Sequence, residues 1–252
     1  MTDEVMYEVR GPIAIITINR PESRNAINLA VRVGLRDAFQ RFDDDPALRV
    51  AILTGAGDKA FSSGMDLKEA VDGGALAPPQ LPNLGDNMKL SKPVIAAVNG
   101  YAYAGGWLLA QMCDLCVAAD TATFAITEGR VGRGMWFAAP LVAMLGSRIA
   151  LELLLTGKSI DARRAYEIGF VNRVVSQRDL MLEAEALARE IIECAPLSVA
   201  GARELVMHAM NMGVTAATEV GKQIFKPVYQ SEDAKEGPRA FREKRKPRWT
   251  GR

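Results

Sequence analysis

The hydrophobic rhythm of the chain changes once, and that change limits the folds open to it. From residue 5 to about 125, short apolar stretches alternate with helical ones; from about 137 onward the pattern is almost wholly helical. Ile13-Ala14-Ile15-Ile16-Thr17-Ile18, Arg49 to Thr54, Pro93 to Val98 and Asp114 to Ala119 are rich in β-branched and small apolar residues and bounded by turn formers. That is the pattern of buried strands. Between them, Leu29, Val33, Phe39 and Phe42 are expected to share one helical face, and Asp43-Asp44-Asp45-Pro46 ends that helix. Further on, the periodicity predicts helices over 137–145, 147–156, 161–168, 177–194, 196–212 and, with breaks, 215–245. One further strand is expected at Phe170 to Val175. The chain therefore reads as α/β, with a helical C-terminal region. There is no repeat of fixed length.

Composition closes several other routes. With 252 residues, the chain suits one large α/β domain or a core with an appendage. At 49% hydrophobic and 24% charged it is too apolar, and too balanced in charge, for disorder. Its formal net charge of +1 creates no overall attraction for nucleic acid or membrane. The richest apolar run, Tyr101 to Ala119, is broken by Gln111 and Asp114. A membrane span needs about 20 mostly apolar residues, so none is expected. The start, Met1-Thr2-Asp3-Glu4, lacks a basic run and apolar core, and three cysteines make no disulfide framework. Cytoplasm is the expected compartment.

Two segments depart from the general pattern. Residues 72–85 contain three Gly and three Pro and support neither a strand nor a long helix. A mobile wall over a pocket is expected there, in preference to an interdomain linker. Lys235 to Arg252 holds eight basic and two acidic residues, a charge of +6 that leaves −5 for the rest. A solvated helical face and local capture of a phosphorylated ligand both fit. Phe241 and Trp249 are too sparse for a nucleic-acid stacking platform.

Several chemistries are disfavoured by what is missing. The one histidine, His208, lies inside the run Leu205 to Met210, so His-based triads and His-rich metal sites are poor candidates. Cys113-x-x-Cys116 has half the spacing of a zinc site, with only Cys194 left over, and reads as a pair of buried thiols. Gly132-x-Gly134 is not a dinucleotide fingerprint. The positive signal is two glycine-bearing turns, each between a strand and a helix: Ala60 to Glu69, and Asn99 to Trp107. Two such turns can each aim a backbone N–H at one oxygen, forming an oxyanion hole; tight packing of small residues is the other explanation.

These residues also carry a family resemblance. Asn19-Arg20-Pro21-Glu22-Ser23-Arg24-Asn25-Ala26 is similar to the first signature of the crotonase (enoyl-CoA hydratase/isomerase) superfamily. Phe61 to Glu69 is similar to the second, and Lys92 to Gly100 leads into the third. Leu155-Thr156-Gly157, Ala162 to Val171 and Glu236 to Arg245 match the C-terminal half. The likeness runs in order along nearly the whole chain. It implies a crotonase-like spiral of ββα units over residues 1–195, with a helical trimerisation region over 196–252. It implies a homotrimer or dimer of trimers, and an acyl-CoA thioester substrate. No cofactor, metal, nucleic acid or membrane is implied, CoA entering as part of the substrate.

The same resemblance assigns roles by position. The oxyanion-hole amides would be those of Met65 and Gly105. The backbone around Ser63, Met65, Asp66, Leu67 and Lys68 would line the adenine and pantetheine path. Arg24, with Ala26 beside it, would lie near the CoA phosphates. Phe241 and Lys244 would touch CoA, often from a neighbouring subunit. Typical hydratases carry two glutamates that hold a water; the second is Glu128, but the first position is Leu108. Leucine cannot deprotonate water. Arg133-Gly134-Met135-Trp136-Phe137 is bulkier than the usual stretch, so a reshaped acyl pocket that includes Trp136 is expected. The expected activity is isomerase-type proton transfer by Glu128 on a thioester enolate. Alternatives are a hydrolase or C–C bond hydrolase of the same fold, or a non-catalytic RNA-binding relative.

Overall fold

The computed structural model describes residues 3–71 and 80–252. Two sheets organise the first two-thirds of the chain. Strand β1 (Val5–Arg10) forms an antiparallel hairpin with β2 (Ile13–Ile18). Parallel to β2 run β3 (Val50–Gly55), then β5 (Val94–Val98), β7 (Leu115–Ala119) and β10 (Arg173–Val175). This six-stranded sheet has the order β1-β2-β3-β5-β7-β10. A second sheet has four much shorter strands, β4 (Ala60–Ser62), β6 (Tyr101–Tyr103), β8 (Thr123–Ala125) and β9 (Ile160–Asp161), in that order. The first three of these are parallel to one another.

From β3 to β8, successive strands alternate between the sheets. β3 and β4 lead into α2 (Leu67–Val71), and β5 and β6 lead into α3 (Gly105–Met112). β7 and β8 begin the next turn. This is the ββα spiral that the resemblance implies.

The larger sheet is covered by helices on its flanks. Helix α1 (Leu29–Asp44) packs on β1 and β2, and α7 (Leu180–Ile192) packs on β3, β5 and β7. Ile16, Ile18, Ile52, Leu53 and Val94 are completely buried. Each such side chain contributes about 1.5–3 kcal/mol of apolar burial. Asn28 caps α1, its side-chain oxygen accepting from Val31 N at 2.9 Å. The inward face of α1 corrects the sequence expectation. It is Val31, Leu35, Ala38, Phe39 and Phe42, while Leu29 is 41% exposed and Val33 half-buried. Leu29 sits at the first turn, on the opposite side from Val31.

Helix boundaries shift where proline or a tighter turn intervenes. The helix expected over 137–145 is a 3-10 turn at Trp136–Ala138, then, after Pro140, α4 (Leu141–Leu145). α5 (Ser147–Thr156) has the expected limits, and α6 (Ala162–Glu167) follows β9. Beyond α7, the chain forms α8 (Pro196–Asn211), α9 (Val214–Gln230) and α10 (Glu232–Arg242). Residues 170–172 leave the sheet because the amides of Phe170 and Val171 bond to Ala165 O. The C-terminal residues fold back: buried Asp233 accepts from Thr250 N (2.7 Å) and Gly251 N (2.9 Å), and Trp249 Nε1 donates to Glu193 O (2.7 Å). Among the described residues, no helix is long and apolar enough to cross a membrane.

Candidate active site

Three residues that follow the C-terminal ends of β4, β6 and β8 converge. Met65 follows β4 by three positions, Gly105 follows β6 by two, and Glu128 follows β8 by three. Because these strands are parallel neighbours, their carboxyl ends open on the same side, where ligands bind in α/β sheets.

Local hydrogen bonding orients the first amide. Ile27 N donates to Gly64 O (2.8 Å), and Asp66 N donates to Ile27 O (2.9 Å). In this bridge the Met65 N–H points away from Ile27. Gly105 is the first residue of α3, where an N–H has no acceptor inside the helix. Neither amide donates to any described residue. A Cβ on residue 105 would lie 3.5 Å from Met65 N, and one on residue 64 would lie 3.1 Å from Gly105 N. The two free amides are thus adjacent, and glycine keeps the space between them open.

The peptide that aims Gly105 N is strained. Ala104 has φ 53° and ψ −118°, unfavourable for a residue with a Cβ. It is held there by its N–H on Ala125 O (2.9 Å) and its carbonyl on Leu108 N (3.1 Å). Gly106 lets α3 start against β4: a Cβ there would come within 2.1 Å of Ser62 O. Trp107, fully buried, anchors the same helix by stacking on Phe170 at 4.3 Å. Its Nε1 donates to Gln111 Oε1 (3.1 Å), and Gln111 in turn donates to Phe137 O (2.8 Å).

The Asn19–Ala26 motif braces the Met65 turn. Asn25, completely buried at φ 54°, accepts from Arg20 N (2.9 Å) and donates to Ala60 O (2.7 Å) and Ala56 O (3.0 Å). Ser62 Oγ donates to Asn25 O (2.8 Å), and Ser63 N donates to Arg24 O (3.0 Å). Arg20 Nη1 bridges Ala26 O (2.7 Å) and Asp66 Oδ2 (3.0 Å). Burial pushes the Asp66 carboxyl up, but the bonds from Arg20 and the Lys68 amide outweigh it and hold it below its usual range. Arg20 and Asn25 are supporting residues that the motif reading left without individual roles. The structure shows the need: a buried Asn at positive φ requires partners for its amide.

Met65, Gly105, Leu108, Glu128 and Trp136 line one cavity of about 220 Å³, with Leu81, Phe137, Gln80, Asn87, Arg133 and Gly134. Glu128 is 8% exposed and Leu108 5%. Glu128 Oε2 is buried with no hydrogen-bond partner among the described residues. Burial therefore pushes the Glu128 pKa above the ordinary carboxylate value. Glu128 is the one carboxylate among the described lining residues, and Leu108 gives the wall an apolar face. A carboxyl so placed can carry a proton, and the two amides can stabilise an oxyanion beside it.

The remaining sequence-predicted residues lie outside this cavity. Arg24 is exposed at φ 53°, Ala26 is buried and Ser63 half-buried. Leu67 is 64% exposed, and Lys68 shares a shallow surface depression with Asp66, Asn28 and Glu69. Phe241, 87% exposed, and Lys244 stand at the end of α10. Of the wall expected at 72–85, residues 72–79 lie outside the described residues, while Gln80 and Leu81 do face the cavity. No group of three or more His, Cys, Asp or Glu that could hold a metal occurs among the described residues. Cys113 and Cys116 are buried, and desolvation pushes the Cys116 thiol up to about 12.

The family model for enoyl-CoA hydratase/isomerase matches residues 8–252. The chain belongs to that family. Members of this hydratase/isomerase family with similar sequences include a carnitinyl-CoA dehydratase from Citrobacter koseri, 41% identical with both chains fully covered. A carnitinyl-CoA dehydratase from Salmonella typhi is 40% identical over the same span. Crystal structures of enoyl-CoA hydratases from Mycobacterium tuberculosis H37Rv and Mycobacterium marinum each superpose with a TM-score of 0.93, at 40% identity and full coverage of both chains. The fold is therefore the crotonase fold, and the chain is a family enzyme whose cavity is lined by Leu108 and, among the described residues, by one carboxylate, Glu128.

Proposed function

We propose that this enzyme moves a proton between the α and γ carbons of an unsaturated acyl-CoA, shifting its double bond. The thioester oxygen accepts hydrogen bonds from Met65 N and Gly105 N. Glu128 removes the α-proton, the electron pair passes into the enolate, and Glu128 returns the proton at the γ carbon. The observation that carries this reading is the pairing of Glu128 with Leu108 in one small cavity. One carboxylate suffices for a proton shuttle, whereas hydration also needs a positioned, activated water. A single oxyanion-hole donor is worth about 10²–10³ in rate, and general acid–base help about 10²–10⁴.

A second reading draws on the relatives named dehydratase and hydratase. Glu128 alone would take the α-proton of a 3-hydroxyacyl-CoA and deliver it to the departing hydroxide, giving water and a 2-enoyl-CoA. The deciding experiment presents 3-enoyl-, 2-enoyl- and 3-hydroxyacyl-CoA separately and identifies each product. Fast conversion of the 3-enoyl thioester, with slow water addition or loss, supports isomerisation. The reverse order supports dehydration.

CoA recognition belongs to the same proposal. Arg24 and Ala26 would meet its phosphates, and Ser63, Asp66, Leu67 and Lys68 would follow the adenine and pantetheine. Phe241 and Lys244 would reach CoA from a neighbouring subunit of a homotrimer or dimer of trimers assembled through residues 196–252. The exposure of Phe241 and the +6 charge of Lys235 to Arg252 support that placement. Cytoplasm is the compartment proposed.

A further inference from the structure

One charged side chain of the cavity has no role in the proton transfer. Arg133 lines the same wall as Glu128, Leu108 and Trp136, and it is the only cation among the described lining residues. Its guanidinium makes no hydrogen bond, ion pair or ring contact with any described residue. Arg20 pairs with Asp66, Arg203 with Asp114, and Arg173 with Glu183 and Glu190, whereas Arg133 is exposed and lines the cavity without a side-chain partner among the described residues. The backbone ties Arg133 to the turn that carries Glu128. Gly132, at φ 69°, reverses the chain after the turn that begins at Glu128, and Arg133 N donates to Glu128 O at 2.9 Å. Beside it, Gly134 has open space where a Cβ would stand.

We infer that Arg133 selects acyl groups that end in a carboxylate. This rests on the acyl-CoA reading above. An unpaired guanidinium offers two parallel N–H donors that fit a carboxylate and gain nothing from a terminal methyl. The rest of the wall, Met65, Leu81, Leu108, Trp136 and Phe137, suits the short methylene chain between thioester and terminal group. The substrate class is therefore the mono-thioester of a short dicarboxylic acid.

Calorimetric titration with glutaryl-CoA and pentanoyl-CoA tests this, since both are saturated and differ only in the last group. Wild-type protein should bind glutaryl-CoA about tenfold more tightly, the scale of one hydrogen-bonded charge pair at a partly solvated site. Arg133→Met should remove that preference and leave pentanoyl-CoA affinity unchanged, and Arg133→Lys should restore part of it. Equal binding of the two ligands by wild type would overturn the inference while leaving the acyl-CoA reading intact. So would an equal loss for both ligands in Arg133→Met, which would place Arg133 against CoA itself. Failure of wild type to bind either thioester would remove the acyl-CoA reading and the inference with it.

Discussion

In the six-stranded sheet, strands such as Val50–Gly55 are buried along their whole length, whereas the described strands of the four-stranded sheet are two or three residues long. The difference separates two tasks. The long strands bury Ile16, Ile52, Val94 and their neighbours completely and supply stability. The short ones are buried too, Phe61 and Phe124 completely, but β4, β6 and β8 each end a few residues before Met65, Gly105 or Glu128. Damage to the first sheet should therefore be read in stability, and damage at the ends of the second in rate.

The largest expected effect lies at the end of β8. Glu128→Gln should lower kcat by about 10²–10⁴ while leaving acyl-CoA affinity nearly unchanged. Steady-state kinetics with calorimetry check this; near-normal turnover would remove Glu128 from the chemistry. The same variant has a stability signature. Burial raises the Glu128 pKa in the folded state above its ordinary 4.5, so the native protein binds this proton more tightly than the unfolded chain does. That contribution is fully present below about pH 4.5 and is lost as pH rises through the folded pKa. Melting curves should accordingly show Glu128→Gln more stable than wild type at neutral pH, with the gain shrinking on acidification.

Next in size is a core truncation in the long sheet. Ile52→Ala should cost about 2–5 kcal/mol in denaturant unfolding, with kcat of the folded enzyme within a factor of two of wild type. A large kinetic change would show that the two sheets are not separable in this way.

Leu108→Glu sharpens the contrast on α3. It restores a second carboxylate opposite Glu128, and two interacting carboxyls can divide acid and base roles. Hydration of a 2-enoyl-CoA should rise about tenfold, less than the about 10²–10⁴ of a fully positioned acid–base group, with some loss of stability from the buried charge. Wild-type enzyme that already hydrates efficiently would break this expectation.

The smallest effect is expected at Ala104. Glycine there relieves the strain at φ 53° but adds chain entropy, so Ala104→Gly should change stability by no more than about 1 kcal/mol. A loosened Gly105 amide should appear as a modest fall in kcat.

The same contrast explains what was legible in the sequence. Ile13 to Ile18, and the runs ending at Thr54, Val98 and Ala119, announced themselves because a long apolar β-branched strand leaves a continuous signal. Tyr101–Tyr103 and Thr123–Ala125 left none, since three residues cannot display a period of two. The positions of Met65, Gly105 and Glu128 came from motif resemblance, and their shared cavity became visible only with the parallel pairing of β4, β6 and β8. The braces at Arg20 and Asn25 depend on contacts with Asp66 and Ala60, 46 and 35 residues away, which no local pattern encodes. The inward face of α1 was misread for a similar reason: which side of a helix is buried depends on what it packs against.

The central claim is that Glu128 transfers the α-proton of a thioester held by the Met65 and Gly105 amides. Proton NMR of butyryl-CoA in D₂O tests it without any double-bond chemistry. The account predicts enzyme-dependent loss of the α-proton signal with wild type, and none above background with Glu128→Gln bound to the same ligand. Exchange at the wild-type rate in Glu128→Gln would contradict it.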